Sequence, residues 1–306
     1  MKILVTGGAG FIGSNIAEAL LEKKSEVVVI DDLSTGKLEN LPKGAKFYQH
    51  DISEPVIDKI FEREKFDLVF HLAAQMDVRK SVADPINDAG INILGGINLL
   101  QSSIKHAVKK FIFSSTGGAI YGEQDYFPAD ENHPLRPVSP YGISKLSFEK
   151  YLYFYNVQYG LPYVALRYAN VYGPRQNSHG EAGVVAIFCE KLLRGDKAFV
   201  NGDGLQTRDF VYVGDVVKAN LLSMTHPESG EFNVGTALET DINTIFEKIS
   251  ATIGSSQARI NREAMPGEQS RSVISYDLIK KSMGWRPSVS LDDGIAETVK
   301  FFKSKI

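Results

Sequence analysis

Through the first half of the chain, short apolar runs rich in β-branched and aromatic residues alternate with longer segments of helical period. The runs are Lys2 to Thr6, Glu26 to Asp31, Lys46 to His50, Leu68 to Leu72, Phe111 to Ser115 and Tyr163 to Arg167. Between them the apolar spacing predicts helices over Gly13 to Lys23, Pro55 to Arg63, Asn87 to His106 and Pro140 to Tyr159, each long enough to cross back over a sheet. Strand, crossover helix and next strand make the right-handed unit of a parallel sheet. The pattern therefore predicts an α/β fold, a Rossmann-type doubly wound parallel sheet of about six or seven strands.

After Gly173 the pattern loosens. Pro174-Arg175-Gln176-Asn177-Ser178-His179-Gly180 reads as a loop, followed by a helix near Val184 to Arg194 and short strands. Phe210 to Val213, a helix from Asp215, and Phe232-Asn233-Val234 again look like sheet-and-helix material, and last helices are expected at Asp241 to Ile253, Tyr276 to Met283 and Leu291 to Phe302. The expectation is one domain over 1–173, rejoined by 209–237, and a smaller interleaved α/β domain made mainly of 174–306, with no single linker between them.

With 306 residues, 43% of them hydrophobic and 23% charged, the chain can bury a large core. Its net charge of -3 comes from interspersed acids and bases, so no basic face points to nucleic acid or an anionic membrane, and a small-molecule partner is expected. Cys189 is the single cysteine, and Lys2 is followed at once by strand-like Ile3-Leu4-Val5, which leaves no room for a secretory leader. The apolar stretches are strand-length, far from the roughly 20 residues of a membrane span. A cytoplasmic protein is expected.

Thr6-Gly7-Gly8-Ala9-Gly10-Phe11-Ile12-Gly13 lies between the first strand and the first helix. Gly7, Gly10 and Gly13 permit a tight turn, close approach of backbone to phosphate and helix–strand packing, and the helix N-terminus suits a pyrophosphate. The plain alternative is a glycine-rich turn. Context favours a dinucleotide: Asp31 ends the next strand 18 residues after Gly13, where a carboxylate takes adenosine ribose hydroxyls. Asp31 and Asp32 would repel a 2′-phosphate and no arginine stands immediately beside them, so NAD is expected over NADP. Asp51 and Ile52 suit the edge and face of adenine, or else are a strand cap and a core residue. Leu72, Ala73 and Ala74 close the fourth strand with small side chains where a cofactor backbone would lie.

Tyr141 and Lys145 are four residues apart near the start of a predicted helix, so both lie on one face. Free tyrosine titrates near 10, and an ammonium beside it together with a positive nicotinamide favours phenolate; lowering it about three units takes roughly 4 kcal/mol. Such a phenolate can take a hydroxyl proton while hydride leaves the same carbon. The spacing is common on helix surfaces, and its place downstream of a dinucleotide cradle gives it chemical weight. Ser114-Ser115-Thr116 end the fifth strand before Gly117-Gly118 and deliver hydroxyls to the same crevice. Thr116 or Ser115 would meet the reacting oxygen, and at least one of the three hydroxyls would satisfy its own turn.

TGGAGFIG, HLAAQ, FIFSSTGGAIYG, YGISK, LRYANVYGPRQ and GDGLQTRDFVYVGDV together resemble the extended short-chain dehydrogenase/reductases, and within them the nucleotide-sugar 4-epimerases similar to UDP-glucose 4-epimerase. The likeness runs from Lys2 to Trp285. It implies NAD held by the glycine cradle with Phe11 and Ile12, and by Asp31, Asp32, Leu33, Ser34, Thr35 and Gly36. It extends that set to Asp51, Ile52, Leu72, Ala73, Ala74, Gln75, Asn92, Ser114, Tyr141, Lys145 and Tyr168. Thr116, with Ser115 nearby, Tyr141 and Lys145 are implied as the catalytic triad, Lys145 also holding the nicotinamide ribose. The nucleotide sugar is implied to meet Thr116, Tyr141, Asn170, Gly183, Val184, Val185, Phe199, Val200, Arg208, Glu268 and Arg271, with Asn170 and Arg208 on the diphosphate.

The implied reaction is epimerisation at C4 of a UDP-hexose through a 4-keto sugar, with NAD regenerated. Related dehydratases and decarboxylases carry acids just after the strand-five threonine, and Gly117-Gly118 leave elimination without its acid and base. A silent NAD-binding sensor or scaffold would not need Tyr141 and Lys145. In the uridine segment the usual arginine is displaced, leaving Arg262 or Arg271 as phosphate partners. Ser272 falls on the position that gates room for a 2-acetamido group, so N-acetylhexosamines are expected to fit. The six histidines have no metal-ligand spacing, and no metal is expected. Tyr151, Tyr153, Phe154 and Tyr155 are expected to pack, and with the Asn87 to His106 helix to build the homodimer interface that the resemblance implies.

Overall fold

The computed structural model describes residues 1–178, 183–264 and 269–306. Its early strands are β1 (Lys2–Thr6), β2 (Glu26–Ile30), β3 (Lys46–Tyr48), β4 (Leu68–His71), β5 (Lys110–Thr116), β6 (Tyr163–Tyr168) and β7 (Asn170–Tyr172). Later come β8 (Phe199–Asn201), β9 (Thr207–Arg208), β10 (Phe210–Tyr212), β11 (Gly230–Val234), β12 (Thr240–Asp241), β13 (Ile260–Arg262) and β14 (Arg271–Ser272). Seven of them form one parallel sheet in the order β11-β6-β5-β4-β1-β2-β3. The order reverses between β1 and β4, so the crevice at the ends of Thr6 and His71 is the switch point where open α/β sheets bind ligands.

The helices are α1 (Phe11–Glu22), α2 (Val56–Glu64), α3 (Val78–Ala83), α4 (Pro85–Ala89), α5 (Gly96–Lys105), α6 (Gly117–Ile120) and α7 (Pro140–Tyr159), then α8 (Val184–Arg194), α9 (Val213–Ser223), α10 (Ile242–Ile253), α11 (Asp277–Met283) and α12 (Leu291–Lys303). Side-chain alternation along the strands separates two cores. Ile3, Val5, Val27, Val29 and Leu166 face α1, α9 and α11, while Leu4, Val28, Ile30, Val69 and Phe113 face α2, α5 and α7. A third core lies apart, built by Phe188, Phe246, Ile295 and Phe302 of α8, α10 and α12 with Tyr172 and Val200. No helix among the described residues is long and apolar enough to cross a membrane.

One long predicted helix departs from expectation. The Asn87 to His106 segment is α4, a π-helical stretch over Gly90–Gly95, then α5. The wide turn brings Gly95 and Gly96 against neighbours where a Cβ would stand 2.8 Å from Ile52 and 2.3 Å from Phe148. β3 stops at Tyr48, two residues before the expected end. His179-Gly180 of the expected loop lies outside the described residues.

At the far end of α2, buried Glu64 accepts hydrogen bonds from Lys46 Nζ (2.6 Å), the Tyr48 hydroxyl (2.6 Å) and Lys2 Nζ (3.2 Å), pinning α2 to β1 and β3. Burial pushes its carboxyl up, the three donors outweigh burial, and the result is about 2 against the ordinary 4.5. Because the folded value is the lower one, the stabilisation is complete above 4.5 and is lost as pH falls toward 2. Glu64→Gln should cost about 3 kcal/mol at neutral pH and flatten this part of the acid limb, read by urea unfolding across the pH series; an unchanged limb would assign it elsewhere.

Candidate active site

The cradle is shaped by contact as much as by conformation. Gly7 has φ +69°, and a Cβ on it would lie 2.6 Å from the Ala73 amide nitrogen; one on Gly13 would lie 2.2 Å from the Gly7 carbonyl oxygen. Gly10 is the N-cap of α1, makes no side-chain cap bond, and the first turn holds no acid. The amides of the first turn and the positive helix end therefore face the switch-point crevice with no side chain competing for them, which is the fit a pyrophosphate requires.

Thr6 locks the opposite wall. Its hydroxyl accepts from the Leu72 and Ala73 amides (both 3.2 Å), so its own proton goes to His71 Nδ1 at 2.9 Å. His71 is wholly buried among Phe111, Phe113 and Phe148, and burial holds its imidazole neutral, well below the ordinary range. This brace between β1 and β4 fixes Leu72, Ala73 and Ala74 at the crevice, and the sequence offered no sign of it.

Asp31 is buried just past the end of β2. Its carboxylate accepts from the Ala9 and Leu33 amides, both at 2.9 Å, binding the cradle to the turn after β2, where Leu33 adopts φ +63°. Burial pushes its carboxyl up against those two bonds. Each oxygen keeps a lone pair for a ribose hydroxyl. Exposed Asp32 folds back on Ser34, accepting from its amide (2.9 Å) and hydroxyl (2.7 Å), with Thr35 and Gly36 following. Asp51 likewise accepts from the Ser53 amide and hydroxyl, and Ile52 is buried against the Gly95 turn. Asn92 spends its amide on the backbone of Gln75, accepting at 2.9 Å and donating at 2.9 Å, so it orders the cofactor edge through Gln75.

Ser139 caps α7, accepting from the Gly142 amide, and Pro140 opens its first turn. That sets Tyr141 and Lys145 on one face, Nζ lying 5.8 Å from the Tyr141 ring centroid and 4.7 Å from that of Phe113. The Lys145 ammonium donates to the Ser114 carbonyl at 2.9 Å. Burial brings its pKa down to about 8, resisted by the charges of Asp88 and Glu149.

The two candidate hydroxyls separate by strand alternation. Ser115 donates to Glu149 Oε1 at 2.6 Å, on the face of β5 that packs against α7, and Glu149 is gripped by Arg167 through Nε (3.0 Å) and Nη2 (2.7 Å). Thr116 stands at the N-cap of α6 with no side-chain cap bond. A Cβ on Gly118 would have Thr116 Oγ1 at 3.9 Å and Asn170 Oδ1 at 4.0 Å, whereas one on Gly117 would strike Ile274 at 2.7 Å. Thr116 Oγ1 and Asn170 Oδ1 thus lie together around Gly118, within ordinary contact of where its Cβ would stand.

Several expectations need correction. Tyr168 is buried with its hydroxyl hydrogen-bonded to Asn220, because its side chain falls on the core side of β6. Val185 and Val200 are 1% exposed in the third core, which leaves backbone as their means of touching a ligand. Arg271 is held by Glu239 through Nε (2.9 Å) and Nη2 (2.5 Å) and lies 3.7 Å from the Phe127 ring, so it serves that stack. Arg208 donates from Nη1 to the Thr207 carbonyl at 2.8 Å, and its strand is flanked by β12 and β14, placing Ser272 opposite it. Gly183 caps α8 ahead of Val184, and Phe199 is exposed beside Arg262. Glu268 lies outside the described residues. Asp209 was missed: wholly buried, pushed up to about 6 by burial, it accepts from the Thr236 and Ala237 amides and fixes the turn after β11.

A family described as "NAD dependent epimerase/dehydratase family" matches residues 3–235. The fold is similar to a UDP-glucose 4-epimerase of Thermotoga maritima solved with UDP-glucose, 48% identical over 100% of this chain and 99% of that one, with a TM-score of 0.98. It is similar to a Thermus thermophilus UDP-glucose 4-epimerase complexed with NAD, 44% identical over 100% of both chains, TM-score 0.94. A UDP-N-acetylglucosamine 4-epimerase of Methanobrevibacter ruminantium is 37% identical over 100% of this chain and 99% of that one, TM-score 0.95.

Three substitutions separate these roles. Gly13→Ala should abolish NAD binding in calorimetry, since its methyl closes the cradle. Thr116→Val should lower kcat at least about 100-fold, while Ser115→Ala should cost about 1–3 kcal/mol of stability and keep most of the kcat; the reverse ranking would reassign the hydroxyl.

Proposed function

The chain belongs to the NAD-dependent epimerase/dehydratase family, and on that premise we propose that it inverts C4 of a UDP-hexose, with UDP-glucose and UDP-galactose as the interconverted pair. The observation that carries this reading is the Tyr141–Lys145 pair on α7 with no carboxylate following Thr116, since Gly117 has no room for a side chain and Gly118 bears none. Oxidation and re-reduction at one carbon need a proton acceptor and a hydroxyl donor, whereas elimination toward a dehydrated sugar needs a further acid and base.

NAD held by the glycine cradle and Asp31 would supply the hydride acceptor and donor for C4. Tyr141 takes the 4-hydroxyl proton, its phenolate favoured by the Lys145 ammonium one turn on. Thr116 hydrogen-bonds the reacting oxygen. Asn170 and Arg208 hold the diphosphate, so the 4-keto sugar can turn on a fixed tether and present its other face. Asp31, Gly10, Phe11 and Ile12 retain the cofactor through the cycle. Small, 4%-exposed Ser272 opposite Arg208 leaves room for a 2-acetamido group, so UDP-N-acetylhexosamines are included among the substrates.

The working unit is a homodimer. Ile86, Leu94, Tyr151, Tyr153, Phe154, Val157 and Tyr159 are exposed along α4, the π-helical stretch and α7, apolar side chains of the kind that gather at interaction surfaces. The cytoplasm is its setting, since its reactants are nucleotide sugars and a single cysteine, Cys189, supplies no disulfide framework.

Purified protein given UDP-glucose without added cofactor should yield UDP-galactose by NMR; a 4-keto-6-deoxy sugar or a pentose would overturn the reading. Tyr141→Phe should abolish turnover with NAD still bound. Absence of any UDP-N-acetylglucosamine turnover beside fast UDP-glucose turnover would remove the acetamido extension, and a monomeric mass by light scattering would remove the dimer.

A further inference from the structure

Lys145 is 4% exposed, and a cation kept from water needs a carboxylate whose charge is not already spent. The charges of two buried carboxylates reach it, Asp88 of α4 and Glu149 of its own helix. Glu149, one turn further along α7, is gripped at both oxygens by Arg167 of β6, so its charge is matched. Asp88 of α4 is 0% exposed and its hydrogen-bond donors are all neutral: Gln75 Nε2 (3.0 Å) and Asn92 Nδ2 (3.0 Å) on Oδ1, and the Ser144 hydroxyl (2.6 Å) on Oδ2. The remaining titratable groups around the ammonium are Tyr141 on its own helix and His71 of β4, which is neutral. Of two buried cations and two buried carboxylates, Arg167 and Glu149 cancel, which leaves Lys145 and Asp88 as the second pair.

The partners of Asp88 also say what it joins. Ser144 sits on α7 directly before Lys145, while Gln75 and Asn92 form the edge along which the cofactor is expected to run. We propose that Asp88 is a positioning residue, the buried counter-charge that keeps Lys145 protonated and sets the Tyr141–Lys145 pair in register with the Gln75–Asn92 edge. It touches neither substrate nor reacting atoms. This inference rests on the roles given above to Tyr141 and Lys145, and it accounts for a lysine that stays charged in a site burial would neutralise.

The test reads the lysine itself. Holoenzyme carrying [6-13C]lysine is titrated by NMR, the Lys145 signal being the one lost in Lys145→Arg. The wild-type signal should titrate near 8, clear of exposed lysines. In Asp88→Asn, which is isosteric and lets Ser144 reverse its hydroxyl, the midpoint should fall by at least about one unit, and the alkaline limb of kcat should move with it. Ser144→Ala removes the strut and keeps the charge, so its midpoint should stay at the wild-type value. An unmoved midpoint in Asp88→Asn, or an equal displacement in Ser144→Ala, overturns the proposal. Should Asp88→Asn fail to fold, Asp88→Glu decides: a midpoint held near the wild-type value supports the counter-charge, and one well below it refutes it. The resonance is read without turnover, so it fails or succeeds independently of whether UDP-glucose is epimerised.

Discussion

A protonated amine held out of water is the constraint around which the rest of this molecule is arranged. An ammonium on the surface would favour the Tyr141 phenolate too weakly to matter, because water screens it; buried, it acts strongly but tends to shed its proton. The structure answers with a fixed acceptor at Ser114, the aromatic face of Phe113, and carboxylates at Asp88 of α4 and at Glu149 of its own helix. Those carboxylates in turn need donors. Ser115, Arg167, Gln75, Asn92 and Ser144 supply them, drawing β5, β6, α4 and α7 into one polar network beneath the crevice.

The same logic explains why two adjacent hydroxyls on β5 do different work. A strand sends Ser115 and Thr116 to opposite faces, so one serves the network and the other the open crevice. Chemistry and support are thus laid down by a single three-residue run, and the π-helical widening at Gly90–Gly95 sets the Asn92 edge against it. On the far side of the crevice Thr6 and neutral His71 brace the two strands that flank the switch point, without any charge that would compete for a phosphate.

Much of this was legible in the chain itself where the signal is local. Period-2 and period-3.6 patterns placed the parallel sheet and its crossover helices, the glycine turn placed the cradle, and the four-residue spacing placed Tyr141 with Lys145. What escaped depends on contacts between distant segments. Nothing near Asp88 in sequence marks it as facing Ser144, 56 positions on, and Asp209 reads as an ordinary loop acid until the turn after β11 closes on it. Glu149 was within reach, standing one helical turn past Lys145 on the same face. Arg271 misled because a lone arginine beside an expected phosphate site looks free until Glu239 and Phe127 are seen to hold it. The break in the Asn87 to His106 helix escaped because its apolar period survives the wide turn, and only the close approach of Phe148 and Ile52 shows why glycines stand there.

The seventh strand of the main sheet, β11, pairs with β6 although more than sixty residues and most of a second core lie between them in the chain. During synthesis one edge of β6 therefore stays unpaired until Gly230–Val234 has emerged, and the backbone groups of Tyr163–Tyr168 that point away from β5 are open to pairing with another chain. The interleaving of the chain also makes the nascent half-protein sticky. Its vulnerable period on the ribosome is set by topology, whatever the finished fold's stability.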